Sequence, residues 1–355
     1  MNVIVVGSGA REHALCRILH KSYLCEKVFC FPGNYGISQI AECKDISTKE
    51  DIVEECIKIN PDLVVVGPEN YLSENLAGEL RNKGLNVFGP DSEGAKLESS
   101  KEFMKEFCQS HNIPTAKSQT FVDFDEAKNY LESFNGPIVV KYDGLAAGKG
   151  VFVCTNTNEA IEACERIFIK KEFNQENNKV VIEEFIEGKE LSFFTITDGN
   201  EYLNIGSAQD YKRVGNNDTG PNTGGMGTIS PAPILDNNLD MIIQDQIVKK
   251  TIEGLKHDNI AFQGVIFFGI IVNEHNQPYS VLLHNPTVRT ESSNSNAIGS
   301  GTNDDKYGAT RIYRRRWWIL TVFSLLAVMQ AALWNFYSPI STVVESKSIY
   351  GWSPY

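Results

Sequence analysis

Short apolar runs that break at glycine turns and resume as helical periodicity organise the first hundred residues. Asn2–Val6 is apolar and runs into Gly7-Ser8-Gly9-Ala10-Arg11-Glu12-His13. Ala14, Leu15, Ile18 and Leu19 then recur at helical spacing, so the pattern predicts strand, turn and helix. Asp62–Gly67, followed by Pro68-Glu69, reads as a second strand, and Val87–Pro90 as a third. Strands alternating with helices predict a small open parallel sheet with a site at its strand ends.

A second α/β unit follows. Glu98–Phe107 has a helical pattern that sets Lys101 and Lys105 four apart on one face. Pro137–Lys141 reads as a strand leading into the glycine-rich Tyr142–Val151. Val180–Glu190 combines a strand, a break at Gly188 and clustered carboxylates, and Phe262–Val272 and Tyr279–Leu283 read as further strands. Pro286–Tyr313 is rich in Ser, Asn, Gly and Thr without hydrophobic period and reads as a linker. Arg314–Arg316 then precedes Trp317–Tyr337, 21 residues without a charge and with aromatics at both ends. That length and those ends predict a membrane span, with the arginines holding the N-terminal body in the cytoplasm. The expected organisation is therefore an α/β domain over 1–103 and a second over 104–285 with a subdomain at about 115–190. A linker over 286–313, a transmembrane helix over 314–337 and a tail over 338–355 follow.

Composition narrows the function. The net charge of −12 argues against a general nucleic-acid binder. All eight cysteines lie between Cys16 and Cys164 without a Cys-x-x-Cys pair, which speaks against a cysteine zinc site and for buried thiols in a reducing compartment. All four tryptophans follow Arg316, so the tail is compositionally distinct.

Candidate chemistry concentrates in four places. The Gly7–Glu12 turn opens a helix whose N-terminus suits an anion, but Glu12 stands where the dinucleotide fingerprint needs a third glycine. Lys141 ends a strand, and Gly144, Gly148, Lys149 and Gly150 suit a flap closing on a triphosphate; the spacing is not that of a Walker A loop. The carboxylates at 183–190 read either as a solvated hinge or as a clamp for adenosine. Gln209–Pro233 sets five glycines among Asp210, Lys212, Arg213 and Asn222, residue types that suit a phosphate and a carboxylate.

In this order, Gly7–His13, Gly33–Gly36, Val66–Glu69, Phe88–Pro90, Lys96–Lys101, Lys141–Val151 and Gln209–Pro233 resemble the phosphoribosylamine–glycine ligase family of the ATP-grasp superfamily, over residues 1 to about 285. Gly220–Gly227 is the most diagnostic part and argues against other ATP-grasp ligases such as carboxylases. The resemblance implies an open parallel-sheet domain joined to an ATP-grasp domain, with ATP and Mg²⁺ (or Mn²⁺) as cofactors. Glycine would be phosphorylated on its carboxylate and attacked by the amine of phosphoribosylamine. It further implies that Lys101, Lys141 and Lys149 meet ATP phosphates, and that Glu183, Glu184 and Glu190 meet the adenosine. Gly9, Arg11 and Glu12 would serve the ribose phosphate. Asp210, Lys212, Arg213, Pro221 and a loop of Asn222, Thr223, Gly224 and Gly225 would hold the acceptor and glycine, with Lys141, Lys149 and Arg213 closest to the chemistry.

One departure stands out. The family places its metal on a Glu-x-Asn pair followed by Arg-x-Gly-Asp-Pro-Glu; here Asn285 is present, but Leu283 takes the glutamate position and the following run is missing. Leucine offers no oxygen to a hard cation, so impaired activity is expected, and the ATP-grasp domain is expected to be incomplete. Arg314–Tyr355 resembles, more weakly, the first transmembrane segment of a major-facilitator transporter. The composition switch is that of a fusion or of two joined reading frames. The alternative expectation is an inactive, membrane-tethered nucleotide-binding protein.

Overall fold

The computed structural model describes residues 1–284 apart from 145, 147–149, 174–177 and 216–218. Lys149, Asn285, the predicted linker, the predicted span at 314–337 and the tail lie outside the described residues. Among those described, no helix is long and apolar enough to cross a membrane.

The expected parallel sheet forms from β1 (Asn2–Gly7), β2 (Lys27–Pro32), β3 (Glu42–Cys43), β4 (Leu63–Val66) and β5 (Val87–Phe88), in the order β3-β2-β1-β4-β5. Alternation along β1 sends Ile4 and Val6 into one core and Val3 and Val5 into another, as a parallel sheet covered on both faces requires. α1 (Ala10–Lys21), α2 (Lys49–Ile59), α3 (Glu69–Ser73) and α4 (Leu76–Asn82) provide that cover. The strand order reverses between β1 and β4, which places a crevice at their carboxyl ends.

The helix expected over Glu98–Phe107 is two helices, α5 (Ser92–Ser99) and α6 (Lys101–Ser110). They break at Ser100, whose hydroxyl accepts from the Phe103 amide at 3.1 Å and so starts α6 anew. An antiparallel sheet follows, with β6 (Ser118–Phe121), β7 (Ile138–Tyr142), β8 (Val151–Cys154) and β9 (Val180–Glu184) in the order β6-β9-β7-β8. α7 (Phe124–Glu132) and α8 (Thr157–Phe168) pack on it.

The last sheet is also antiparallel, ordered β12-β11-β10-β13-β14. Its strands are β10 (Lys189–Thr197), β11 (Tyr202–Gly215), β12 (Thr219–Ile229), β13 (Gly264–Val272) and β14 (Pro278–His284). α9 (Asn237–Ile243) and α10 (Lys249–His257), joined by a π-helical turn, share its core with α6 through Phe107, Phe193, Leu239, Ile252 and Phe268. Ile196 and Val265 of this sheet enter the core beneath β1 and β4, so the parallel domain is packed against it.

The segment Gln209–Pro233 corrects the expectation of a loop at Asn222–Gly225. β11 and β12 form a hairpin in which Asp210 lies opposite Thr228 and Arg213 opposite Asn222. A ladder is made by backbone groups, so a strand at a sheet edge tolerates glycine without an apolar stripe.

Candidate active site

The two antiparallel sheets meet where β14 runs beside the segment that enters β6. The Ser280 amide donates to the Pro114 carbonyl at 2.7 Å, and the Thr115 hydroxyl to the Ser280 carbonyl at 2.6 Å. At this junction three lysines converge. Lys141 on β7 reaches Oε1 of Glu183 at 2.7 Å, and Lys105 on α6 reaches Oε2 at 2.9 Å. Glu183 is 2 % exposed. Lys105 also donates to the Thr115 hydroxyl and the Ala116 carbonyl, and Lys141 to the Val281 carbonyl of β14. Lys101, at the first turn of α6, donates to the Gly144 carbonyl at 2.9 Å.

Asp143 fastens the start of the glycine-rich segment to α6. Its carboxylate accepts from the Lys101 and Glu102 amides and from the Ser100 hydroxyl, where the exposed N–H groups and dipole of a helix N-terminus favour negative charge. Gly144 follows at φ +147°, where an added Cβ would meet the Tyr142 ring. The chain can therefore turn back over Tyr142 only with glycine there.

The electrostatics follow from burial. Burial pushes the Glu183 carboxyl up, but Lys141 and Lys105 more than offset it and hold it below the ordinary range. Burial depresses the Lys105 ammonium, opposed by Glu183. Lys101 falls to about 8, chiefly through burial, with Asp143 opposing and Lys141 reinforcing the shift. Lys101, Lys105 and Lys141 gather around the buried Glu183, with Asp143 and Glu98 also acting on Lys101, so the cluster concentrates three ammonium groups next to the glycine-rich segment. A polyanion would complete it.

The remaining expected residues are distributed unevenly. Glu183 was expected at the adenosine; its carboxylate is instead occupied by two lysines, because a buried carboxylate needs counter-charges. Glu184 accepts from the Lys117 amide at 2.9 Å, and Glu190 opens β10 at the surface. The chain between them passes so close to β13 that a Cβ on Gly188 would lie 2.4 Å from the Val272 carbonyl oxygen. Asp210 accepts from the Thr228 hydroxyl within the hairpin. Lys212 and Arg213 lie on β11 and Pro221–Gly225 on β12, while β10 and β13 separate β11 from β14. The lysine cluster, on α6 and the β6-β9-β7-β8 sheet, is thus separate from the hairpin, which lies at the opposite edge of the other sheet from β14.

The Gly7–Glu12 turn is also more occupied than expected. Glu12 accepts from the Gly9 amide at 2.7 Å and pairs with Arg11 at 2.8 Å, both residues being buried. The carboxylate takes a helix N-terminal donor that an anion would otherwise use. Asn34 donates to the Ser8 carbonyl, and the Gly67 amide to Val6, so the three turns close on one crevice. The sequence reading passed over Lys105 and Asp143 as site residues. The i, i+4 lysine pair on α6 was the available signal for Lys105.

A parallel α/β domain backed onto two antiparallel sheets, with lysines gathered at their junction, defines an ATP-grasp protein. The biotin carboxylase domain of 2-oxoglutarate carboxylase from Hydrogenobacter thermophilus shares this fold, with a TM-score of 0.62 at 18% identity over 82% of this chain and 64% of its own. The chain belongs to the phosphoribosylglycinamide synthetase family: its N domain matches residues 1–98 and its ATP-grasp (A) domain residues 99–289. It is 47% identical over 269 residues to the chloroplastic phosphoribosylamine–glycine ligase of Arabidopsis thaliana, covering 74% of this chain. The crystal structure of phosphoribosylamine–glycine ligase from Thermotoga maritima matches at a TM-score of 0.69 and 30% identity, over 80% of this chain and 68% of that one. The matched stretch spans 51% of the Arabidopsis relative's own length. The family models end at residue 289 and lend no support to the transporter resemblance of the tail.

Proposed function

We propose that this chain binds ATP at the junction of its two antiparallel sheets and serves the ligation of glycine to 5-phosphoribosylamine, giving glycinamide ribonucleotide, ADP and phosphate. The observation that carries the nucleotide part is the convergence of Lys101, Lys105 and Lys141 around the single buried carboxylate of Glu183, beside the glycine-rich segment. Phosphoryl transfer rests on positioning and charge neutralisation more than on a nucleophilic side chain. In this reading Lys101 and Lys141 meet the phosphates, while Glu183 keeps Lys141 and Lys105 in place. Lys149 would close from the glycine-rich segment, and Glu184 and Glu190 flank the adenosine side. The hairpin residues Asp210, Lys212, Arg213, Asn222 and Thr223 would hold glycine and the acceptor amine, and the crevice by Gly9 and Arg11 the ribose phosphate. Boundaries at 103 and 285 remain part of this proposal.

A divalent ion would neutralise phosphate charge in such a reaction, but β14 carries Leu283 where the resemblance expects a glutamate. A hydrocarbon side chain cannot ligate a hard cation, so the donor set does not fit, and no step is assigned to the metal. The second reading, nucleotide binding with weak or no ligation, is favoured by that same leucine. ADP release by the full chain with glycine and phosphoribosylamine tests both. The proposal expects slow turnover that rises in Leu283→Glu; fast wild-type turnover would overturn the impairment, and absence of turnover in both proteins would overturn the ligase reading.

A further inference from the structure

At the far end of α6 from the lysine cluster, His111, His257 and Asp258 come together. His111 Nε2 lies 2.8 Å from one Asp258 carboxylate oxygen, and His257 Nδ1 lies 2.9 Å from the other. The candidate ligand atoms all fall within 4.8 Å of one another, and the rings are 5.6 Å apart, edge to face. His111 caps the C-terminus of α6 and Asp258 that of α10. The C-terminal ends of two helices therefore lie beside the cluster, and their negative dipole poles favour a cation there.

This arrangement has a built component. His111 packs against Phe107 with ring centroids 4.6 Å apart and the planes tilted by 52°, and its side chain is only 14% exposed. It lies directly over Gly254 of α10, where an added Cβ would come 2.7 Å from the imidazole. Glycine thus lets the two helices approach closely enough to hold the half-buried ring in one orientation. His257, on the solvent side, is 80% exposed and can swing onto an incoming ion.

We propose that His111, His257 and Asp258 form a binding site for a borderline transition-metal ion, Zn²⁺ being the physiological candidate. Two imidazole nitrogens and a carboxylate oxygen suit zinc, copper or nickel, whereas magnesium prefers an all-oxygen shell. Three protein ligands leave a fourth tetrahedral position for water. Imidazole binds a metal only through an unprotonated ring nitrogen, so zinc would compete with protons for these atoms. The ion would clamp α6 to α10 and so brace the helix that carries Lys101 and Lys105. This site does not depend on the ligase reading.

The test is titration of the metal-free full chain with Co²⁺ and Zn²⁺, followed by calorimetry and by the visible cobalt spectrum. One ion should bind per chain with nitrogen–oxygen absorption and no thiolate charge-transfer band, and excess Mg²⁺ should not displace it. His257→Asn and Asp258→Asn, both at accessible positions, should each weaken binding by at least about tenfold, given that even supporting residues around metal ligands change affinity by that factor. Thermal unfolding should rise with Zn²⁺ in the wild type and not in His257→Asn. A thiolate band, binding unchanged in both variants, or no saturable binding would each overturn the proposal.

Discussion

Replacing Glu183 with glutamine perturbs the site at its least accessible point. The wild-type carboxylate is 2% exposed and pairs with two ammonium groups at 2.7 and 2.9 Å. Glutamine keeps the shape and one acceptor oxygen but removes the charge, leaving Lys105 and Lys141 side by side in a desolvated place. Breaking a buried pair from one side costs about 3–5 kcal/mol, and with an unfolding entropy of about 2.1 cal/mol/K per residue over about 280 residues that corresponds to a fall in melting temperature of roughly 5–8 °C. The pH dependence fixes the sign. The folded-state pKa of Glu183 is depressed below the unfolded value of 4.5, so its contribution is complete above that value and is lost as pH falls through the folded one. The gap between wild type and Glu183→Gln should therefore be widest near neutrality and shrink in strong acid. Urea unfolding followed by circular dichroism at pH 7 and at acid pH measures it, with the exposed Glu187→Gln as a control expected within about 0.5 kcal/mol of wild type. A Glu183→Gln protein as stable as that control would refute the buried lysine–glutamate–lysine arrangement.

Other consequences follow from neighbouring residues. Because Lys101 loses its proton near pH 8, ATP affinity should decline as pH rises above about 8, and fluorescence titration of Lys101→Met should show that inflection gone. That depressed lysine also means folding stability gains as pH rises from about 8 towards the ordinary lysine value of 10.5, where only the unfolded chain still binds the proton. Gly188→Ala would force a methyl against the Val272 carbonyl at 2.4 Å, which should destabilise the chain by about 1–3 kcal/mol in urea unfolding. Gly254→Ala should push His111 out of place, with a similar stability loss and weakened cobalt binding by calorimetry.

The parallel sheet was legible because its strands are short apolar runs bounded by glycine and proline, and such runs have few other uses. Lys101 was singled out through the family resemblance, and Lys141 also through its place at a strand end just before the glycine-rich segment; the fold brings the two to one junction. The pairing of Glu183 was not legible, since Glu183 and Glu184 are adjacent and identical in type. Only the packing of β9 between β6 and β7 distinguishes them, turning one carboxylate into the core towards Lys105 and Lys141 and the other to Lys117. The hairpin at Gln209–Pro233 was misread as a loop because its ladder is made by backbone groups, which composition does not report. The break at Ser100 was missed because the lysine pair that suggested a helix, Lys101 and Lys105, lies wholly after it; serine, a favoured helix-starting residue, was the available signal. His111 and Asp258 are 147 positions apart, so no local pattern could have joined them.

Whether the sheet junction holds a nucleotide is decided by equilibrium binding of ATP to the full chain, compared with Lys141→Met. Lys141 sits at the junction of β7, β9 and β14, in contact with Glu183 and the Val281 carbonyl. The account predicts saturable binding by the wild type, weakened by about tenfold or more in Lys141→Met through loss of a charge-assisted phosphate contact. Equal ATP affinity in the two folded proteins would contradict it.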